Sequence, residues 1–155
     1  MAREPFHLGE LVHDVVQKFQ LRAQEKQIRL STALEGELPF VEADIGLIER
    51  VLENLLENAL HYTPQGGKVE LALSPRPAGV RVEVRDSGQG IPQGRQAQVF
   101  DRFYRLGRSS AAGHSGLGLA ISKRILELHD RSIQVASALN QGTVFSFTLP
   151  AHTPA

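Results

Sequence analysis

Asn54 and Asn58 lie four residues apart in a segment whose apolar residues recur at helical spacing, so their amides share one helix face. An amide oxygen beside a groove is a hard ligand of the kind magnesium takes, although a solvated polar face would carry the same pair. Downstream, Asp86-Ser87-Gly88-Gln89-Gly90-Ile91 follows directly on a run of alternating valines. A carboxylate at a strand exit can accept a hydrogen bond from an amino group, and two glycines let the backbone turn sharply beside a flat ligand. A plain strand-exit turn would look similar. Arg102, Arg105 and Arg108 stand among Phe100, Phe103 and Tyr104, which sets cations where phosphates could be neutralised and rings where a loop could be anchored. Gly113-His114-Ser115-Gly116-Leu117-Gly118-Leu119 opens a helix with amides freed of side chains, a setting for an anion. No P-loop lysine motif is present, and Gly116 and Gly118 follow an irregular stretch with Ile121 in the third-glycine place, so a dinucleotide fingerprint does not account for them.

These residues need elements to hold them. Leu8, Leu11, Val12, Val15, Val16 and Phe19 trace one face of a first helix. Ile28 and Leu30 alternate with polar neighbours as a short strand, broken at Glu35-Gly36-Glu37. Asp44 is placed to cap a second helix that buries Ile48, Val51, Leu52, Leu55, Leu56 and Ala59 and stops at Thr63 to Gly67. Val69, Leu71 and Leu73, a turn from Pro75 to Gly79, then Val80, Val82 and Val84 read as an antiparallel hairpin. Residues 91–112 carry no sustained period beyond a helical piece near Ala97 to Tyr104. A third helix is expected from Ser115, with Leu117, Ile121, Ile125 and Leu128 inward, followed by strands at Ile133 and Val135 and at Thr143, Phe145, Phe147 and Leu149. Met1 to Pro5 and His152 to Ala155 read as ends outside these elements. The order predicts a two-layer α/β sandwich: a mixed, largely antiparallel sheet with about three helices on one face and the other face open to water or a partner.

Composition narrows the function classes. The chain has 155 residues, 41% hydrophobic and 22% charged, which suits one globular domain, here taken as 1–155 with a core of about 4–150. It has no cysteine, so disulfide scaffolds, thiolate zinc sites and cysteine nucleophiles are excluded. No apolar run reaches the roughly 18–20 residues that span a bilayer, and no signal peptide opens the sequence, so no direct membrane insertion is expected. Lys plus Arg and Asp plus Glu both number 17, so the total gives no sign of a nucleic-acid binder. That zero is a cancellation: residues 42–58 carry a net charge of −4 and residues 88–118 a net +3. Seven of the 14 glycines lie from Gly88 to Gly118, inside the basic segment.

The motifs in their order carry a resemblance. Asn54-Leu55-Leu56-Glu57-Asn58-Ala59 through Tyr62-Thr63-Pro64, then Asp86 to Ile91, then Phe100 to Arg105, then Gly116-Leu117-Gly118-Leu119, then Gly142-Thr143-Val144-Phe145 closely resemble the N, G1, F and G2 boxes and the last strand of the catalytic, ATP-binding domain of two-component sensor histidine kinases. The likeness covers roughly residues 4–150. It implies the Bergerat-type α/β sandwich shared with gyrase and Hsp90-like ATPases. It implies ATP and magnesium as cofactors, with Asn58 as the metal ligand and Asn54 supporting that site. By the same resemblance Asp86 would bind the adenine amino group with Thr143 nearby through water, Gly88, Gly90 and Ile91 would line the adenine pocket, and Tyr62 would pack on the purine. Residues 93–115 would be the ATP lid, Arg105 would touch the terminal phosphate, and Gly116, Leu117, Gly118 and Leu119 would hold phosphates at the third helix's start.

The chain departs from the family in three places. His61 stands where many members have lysine, Asp130-Arg131 replaces a common Gly-Gly, and Asn140-Gln141 sits where another glycine is frequent. The six histidines offer no acceptor box: His13-Asp14 mimics one, but its flanks lack the Arg-Thr-Pro pattern and it lies in the first helix. The resemblance therefore implies a catalytic domain fragment, inactive or nearly so alone, that donates the γ-phosphoryl group to a histidine on a separate dimerisation and phosphoacceptor domain, with a response regulator downstream. It implies a cytoplasmic setting, whether or not the parent kinase is anchored in the inner membrane. A related anti-sigma type serine/threonine kinase and a nucleotide-sensing module without transfer remain as alternatives.

Overall fold

The structure, a computed structural model, describes residues 1–101 and 117–153. Its elements in chain order are β1 (Glu4–Phe6), α1 (Leu8–Glu25), β2 (Arg29–Leu34), β3 (Val41–Ala43), α2 (Ile45–Tyr62), β4 (Lys68–Arg76), β5 (Gly79–Asp86), a 3-10 turn (Gln93–Gln98), α3 (Gly118–Leu128), β6 (Gln134–Ser137) and β7 (Thr143–Pro150). The two long helices form where the apolar stripes predict them, and every stripe residue named for them is buried. Asp44 caps α2 by accepting from the Leu47 N–H at 3.2 Å. At the other end, Lys26 donates to the carbonyls of Leu60 and, at 2.9 Å, His61, so a cation closes the negative end of α2.

The main sheet runs β2-β4-β5-β7-β6, with β2 and β4 parallel and the other pairs antiparallel. The register aligns Leu71 with Val84 and Val84 with Phe145, so one face is a continuous apolar layer buried in the same core as the helices. The opposite face carries the ion pairs of Arg85 with Glu70 (2.9 Å) and Glu83 (2.7 Å), as expected of a sheet covered on one side.

Several expectations are corrected. A second, two-stranded sheet of β1 and β3 joins Phe6 to Val41, so the opening segment is an element and not merely an end. The first hairpin is tighter than expected: pairing continues to Arg76 and Gly79, leaving only Pro77 and Ala78 to turn. The piece expected near Ala97 is a 3-10 turn that begins earlier, at Gln93. The helix α3 starts at Gly118 and buries Ser122, Ile125 and Leu126, while Leu128 is 44% exposed. The true stripe of α3 runs Ser122, Ile125, Leu126, His129, and two of its four members are polar. Asp130 (φ 58°) and Asn140 (φ 64°) carry the left-handed turns for which glycine is usual.

Candidate functional site

Three segments meet where the open end of the main sheet faces α2. The last turn of α2 brings Asn58 and Tyr62, the end of β5 brings Asp86 with the loop from Gln89 to Ile91, and the start of β7 brings Thr143 and Phe145. With Val99 and Leu119 they line one cleft, open to solvent on one side. Its walls are mostly apolar: Ile91, Val99 and Phe145 are buried, and Phe100 stacks edge-on against Phe145 at 5.9 Å. Asn58, Tyr62, Asp86, Gln89 and Thr143 supply polar groups, which can fix a ligand's orientation against those apolar walls.

The Asp86 carboxyl is held in place by the Gly88 N–H, which donates to Oδ1 at 2.9 Å, and by the Thr143 N–H. Burial pushes its pKa up, and those two N–H donors oppose the shift. An acceptor kept in an apolar cleft suits a flat ring bearing an amino group. Two glycines are required beside it. A Cβ on Gly88 would stand 2.8 Å from the Tyr62 carbonyl oxygen. Gly90 has φ 79° and lies directly against the Ala138 carbonyl.

Asn58 is 8% exposed and faces this cleft. Among the described residues its amide has no hydrogen-bond partner, and its oxygen is the hard donor a magnesium ion would take alongside phosphate and water. Asn54 is placed differently. Its amide donates to the Gly118 carbonyl (3.2 Å) and the Ser122 hydroxyl (3.4 Å), which ties the start of α3 to α2, and it lines a neighbouring cleft between α1 and α2 with Lys18 and Glu53. Leu117 precedes α3 with no side-chain cap, and Gly118 and Leu119 form its first turn next to the cleft. Arg105, Gly116 and most of the segment expected as a lid lie outside the described residues.

Sequence reasoning overlooked Gln89, Val99 and Phe145 as lining residues. The signal for Phe145 was its alternation in phase with Thr143. It also overlooked His129, buried at 3% exposure, whose Nδ1–H donates to the Ile125 carbonyl (2.8 Å) while Nε2 accepts from the Asp44 N–H (3.1 Å). Ser137 and Gln96, which brace the cleft from behind, gave no signal at all.

Comparison with known proteins follows the same lines. The family model described as "Histidine kinase-, DNA gyrase B-, and HSP90-like ATPase" matches residues 43–153. The chain is 38% identical to the adaptive-response sensory kinase SasA of Synechococcus elongatus over 92% of its own length and 37% of that protein's. It is 38% identical to the SasA of Thermosynechococcus vestitus, over 99% of its own length and 40% of that protein's. The chain thus spans well under half the length of these curated relatives. Among solved structures, the catalytic domain of histidine kinase ThkA superposes with a TM-score of 0.86 at 32% identity, covering 97% of both chains. Full-length ShkA, solved in complex with AMPPNP, superposes with a TM-score of 0.88 at 31% identity, covering 100% of this chain and 32% of that one. No helix among the described residues is long and apolar enough to cross a membrane. The chain belongs to the histidine kinase-, DNA gyrase B- and HSP90-like ATPases, as a catalytic domain of the sensor histidine kinase type.

Proposed function

We propose that the cleft binds magnesium-ATP and that this domain, as one part of a longer sensor kinase, donates the γ-phosphoryl group to a histidine on a separate dimerisation and phosphoacceptor domain. The observation that carries the reading is the half-buried Asp86 acceptor lining the same cleft as the buried, unpartnered Asn58 amide. In this reading Asp86 takes the adenine amino group with Thr143 beside it. Tyr62, Gly88, Gly90 and Ile91 line the ring, and Gly116, Leu117, Gly118 and Leu119 hold phosphates at the start of α3. Asn58 holds magnesium, with Asn54 fixing the α3 start that borders it. The metal would draw charge from the phosphate oxygens, and Arg105 would neutralise the terminal phosphate. Phosphoryl transfer asks the protein mainly for positioning and charge neutralisation, so no nucleophile is needed in this chain. The SasA proteins are named sensory kinases, and ThkA has also been solved in complex with a response regulator protein, TrrA; by analogy a response regulator acts downstream here, and the domain works in the cytoplasm. The whole chain, 1–155, acts as one domain.

The test has two stages. ATP titration with and without magnesium should show metal-assisted binding. The isolated chain should show no appreciable self-phosphorylation: of the two histidines followed by an acidic residue, His129 is buried and His13 lies on the exposed side of α1, and neither lines the cleft. Supplying the parent kinase's acceptor hairpin in trans should then yield an acid-labile phosphohistidine. An acid-stable phosphate would favour the serine/threonine branch, and binding without transfer would leave a nucleotide-sensing module.

A further inference from the structure

We propose that Ser137 is a positioning residue which fixes the Thr143 hydroxyl as a hydrogen-bond acceptor toward the cleft, so that the site reads a 6-amino and rejects a 6-oxo purine. The inference rests on the nucleotide reading above and assigns its base selectivity. Ser137 and Thr143 face each other directly in the β6–β7 register, so their side chains project to the same side of the sheet. Their hydroxyl oxygens are 2.8 Å apart. Ser137 Oγ also receives the Ile91 N–H at 2.7 Å and donates to the Gly142 carbonyl at 2.8 Å.

Counting protons settles the direction of the shared bond. A serine hydroxyl has one proton and two lone pairs. The Gly142 carbonyl can only accept, so the 2.8 Å contact with it needs the serine proton between the two oxygens. With that proton spent, the bond between the hydroxyls must carry the threonine's proton. Thr143 therefore donates backward to Ser137, and its lone pairs are what remain for the cleft. Asp86, the register partner of Thr143, contributes a second acceptor. Two adjacent acceptors suit an exocyclic amino group, directly or through water. A 6-oxo group would bring a third set of lone pairs into the same space, with no proton to share. Gln96 braces the arrangement: its Nε2 donates to the Ser137 carbonyl (2.8 Å) and the Ile91 carbonyl (3.3 Å), keeping the Ile91 N–H aimed at Oγ.

The experiment compares Kd for ATP and inosine triphosphate, two nucleotides that differ at the 6 position, on the full chain with magnesium. Wild type should strongly prefer ATP. Ser137→Ala frees the Thr143 hydroxyl to rotate and donate, and should shrink the preference by about tenfold or more, the equivalent of one hydrogen bond's polarity. Ser137→Thr, which keeps the hydroxyl, should restore it. Ser137→Cys preserves the bulk and should shrink the preference in the same direction, which keeps the test open if the alanine variant folds poorly. A purely structural role would weaken both nucleotides alike, so an unchanged ratio in both variants overturns the proposal. Failure of wild type to bind ATP at all would instead overturn the nucleotide reading beneath it.

Discussion

Replacing Asp86 by Asn separates function from stability, because the same burial that makes the carboxyl useful makes it costly. The asparagine Oδ1 can still accept from the Gly88 N–H, so the turn after the strand keeps that local bond. What changes is the second polar atom, from an acceptor to an NH2 donor that meets the amino group of adenine head-on. Losing a hydrogen bond to a charged group costs about 1.5–3 kcal/mol, so ATP affinity should fall about 10- to 150-fold. Stability should move the other way. Burial raises the Asp86 pKa on folding, so the stability linked to this group is fully present below the ordinary aspartate value and is lost as pH rises through the raised one. At neutral pH the ionised carboxyl opposes folding, and the nucleotide-free Asn variant should melt no lower than wild type. Wild-type ATP binding should also weaken on acidification at a higher pH than an ordinary aspartate would dictate, while the Asn variant lacks that limb. Isothermal titration and thermal melts of both proteins across pH supply every term. Equal ATP affinities would refute the adenine assignment. A fall in melting temperature matching the fall in affinity would show Asp86 to be a structural tie and not a ligand.

Other perturbations test neighbouring claims. Asn58→Ala should bring the ratio of ATP affinities with and without magnesium close to one, as measured by titration before and after EDTA, while Glu49→Ala, which breaks an ion pair with Lys18 of α1 and does not line this cleft, should leave it unchanged. His129→Leu leaves the Asp44 N–H at the start of α2 without its acceptor and should cost about 1–3 kcal/mol in urea denaturation. At Asp130, whose φ is 58°, valine should destabilise by about 1–3 kcal/mol, whereas glycine should be tolerated, a contrast that the same denaturation curves resolve.

What the sequence made legible, and what it hid, divides along one physical line. The helices α1 and α2 could be read because the stripe each turns to the core is apolar, Asn58 of α2 being buried at the cleft instead, and the strands β4, β5 and β7 because their inward residues alternate without interruption. In α3 the reading slipped. Ser122 and His129 occupy core positions that an apolar count skips, and the count compensated by drawing in Leu117 and Leu128. Strands β1 and β3 were invisible because three residues each carry no period; they exist through pairing between Phe6 and Val41, far apart in the chain. The site shows the same division. Asp86, Asn58, Tyr62, Gly90, Ile91 and Thr143 do line one cleft. Asn54 shares the helix face but is rotated by about 40° from Asn58, since four residues overshoot a 3.6-residue turn, and that offset is enough to turn its amide onto Gly118 and Ser122. Ser137 had no motif to announce it, because its meaning lies in the strand register and in a count of protons. Ser122, His129 and Ser137 are polar side chains in places patterned for apolar ones. In this fold those residues tie α2 to α3 and β6 to β7, the two seams that border the cleft, so the breaks in the hydrophobic pattern mark where the fold is fastened around its site.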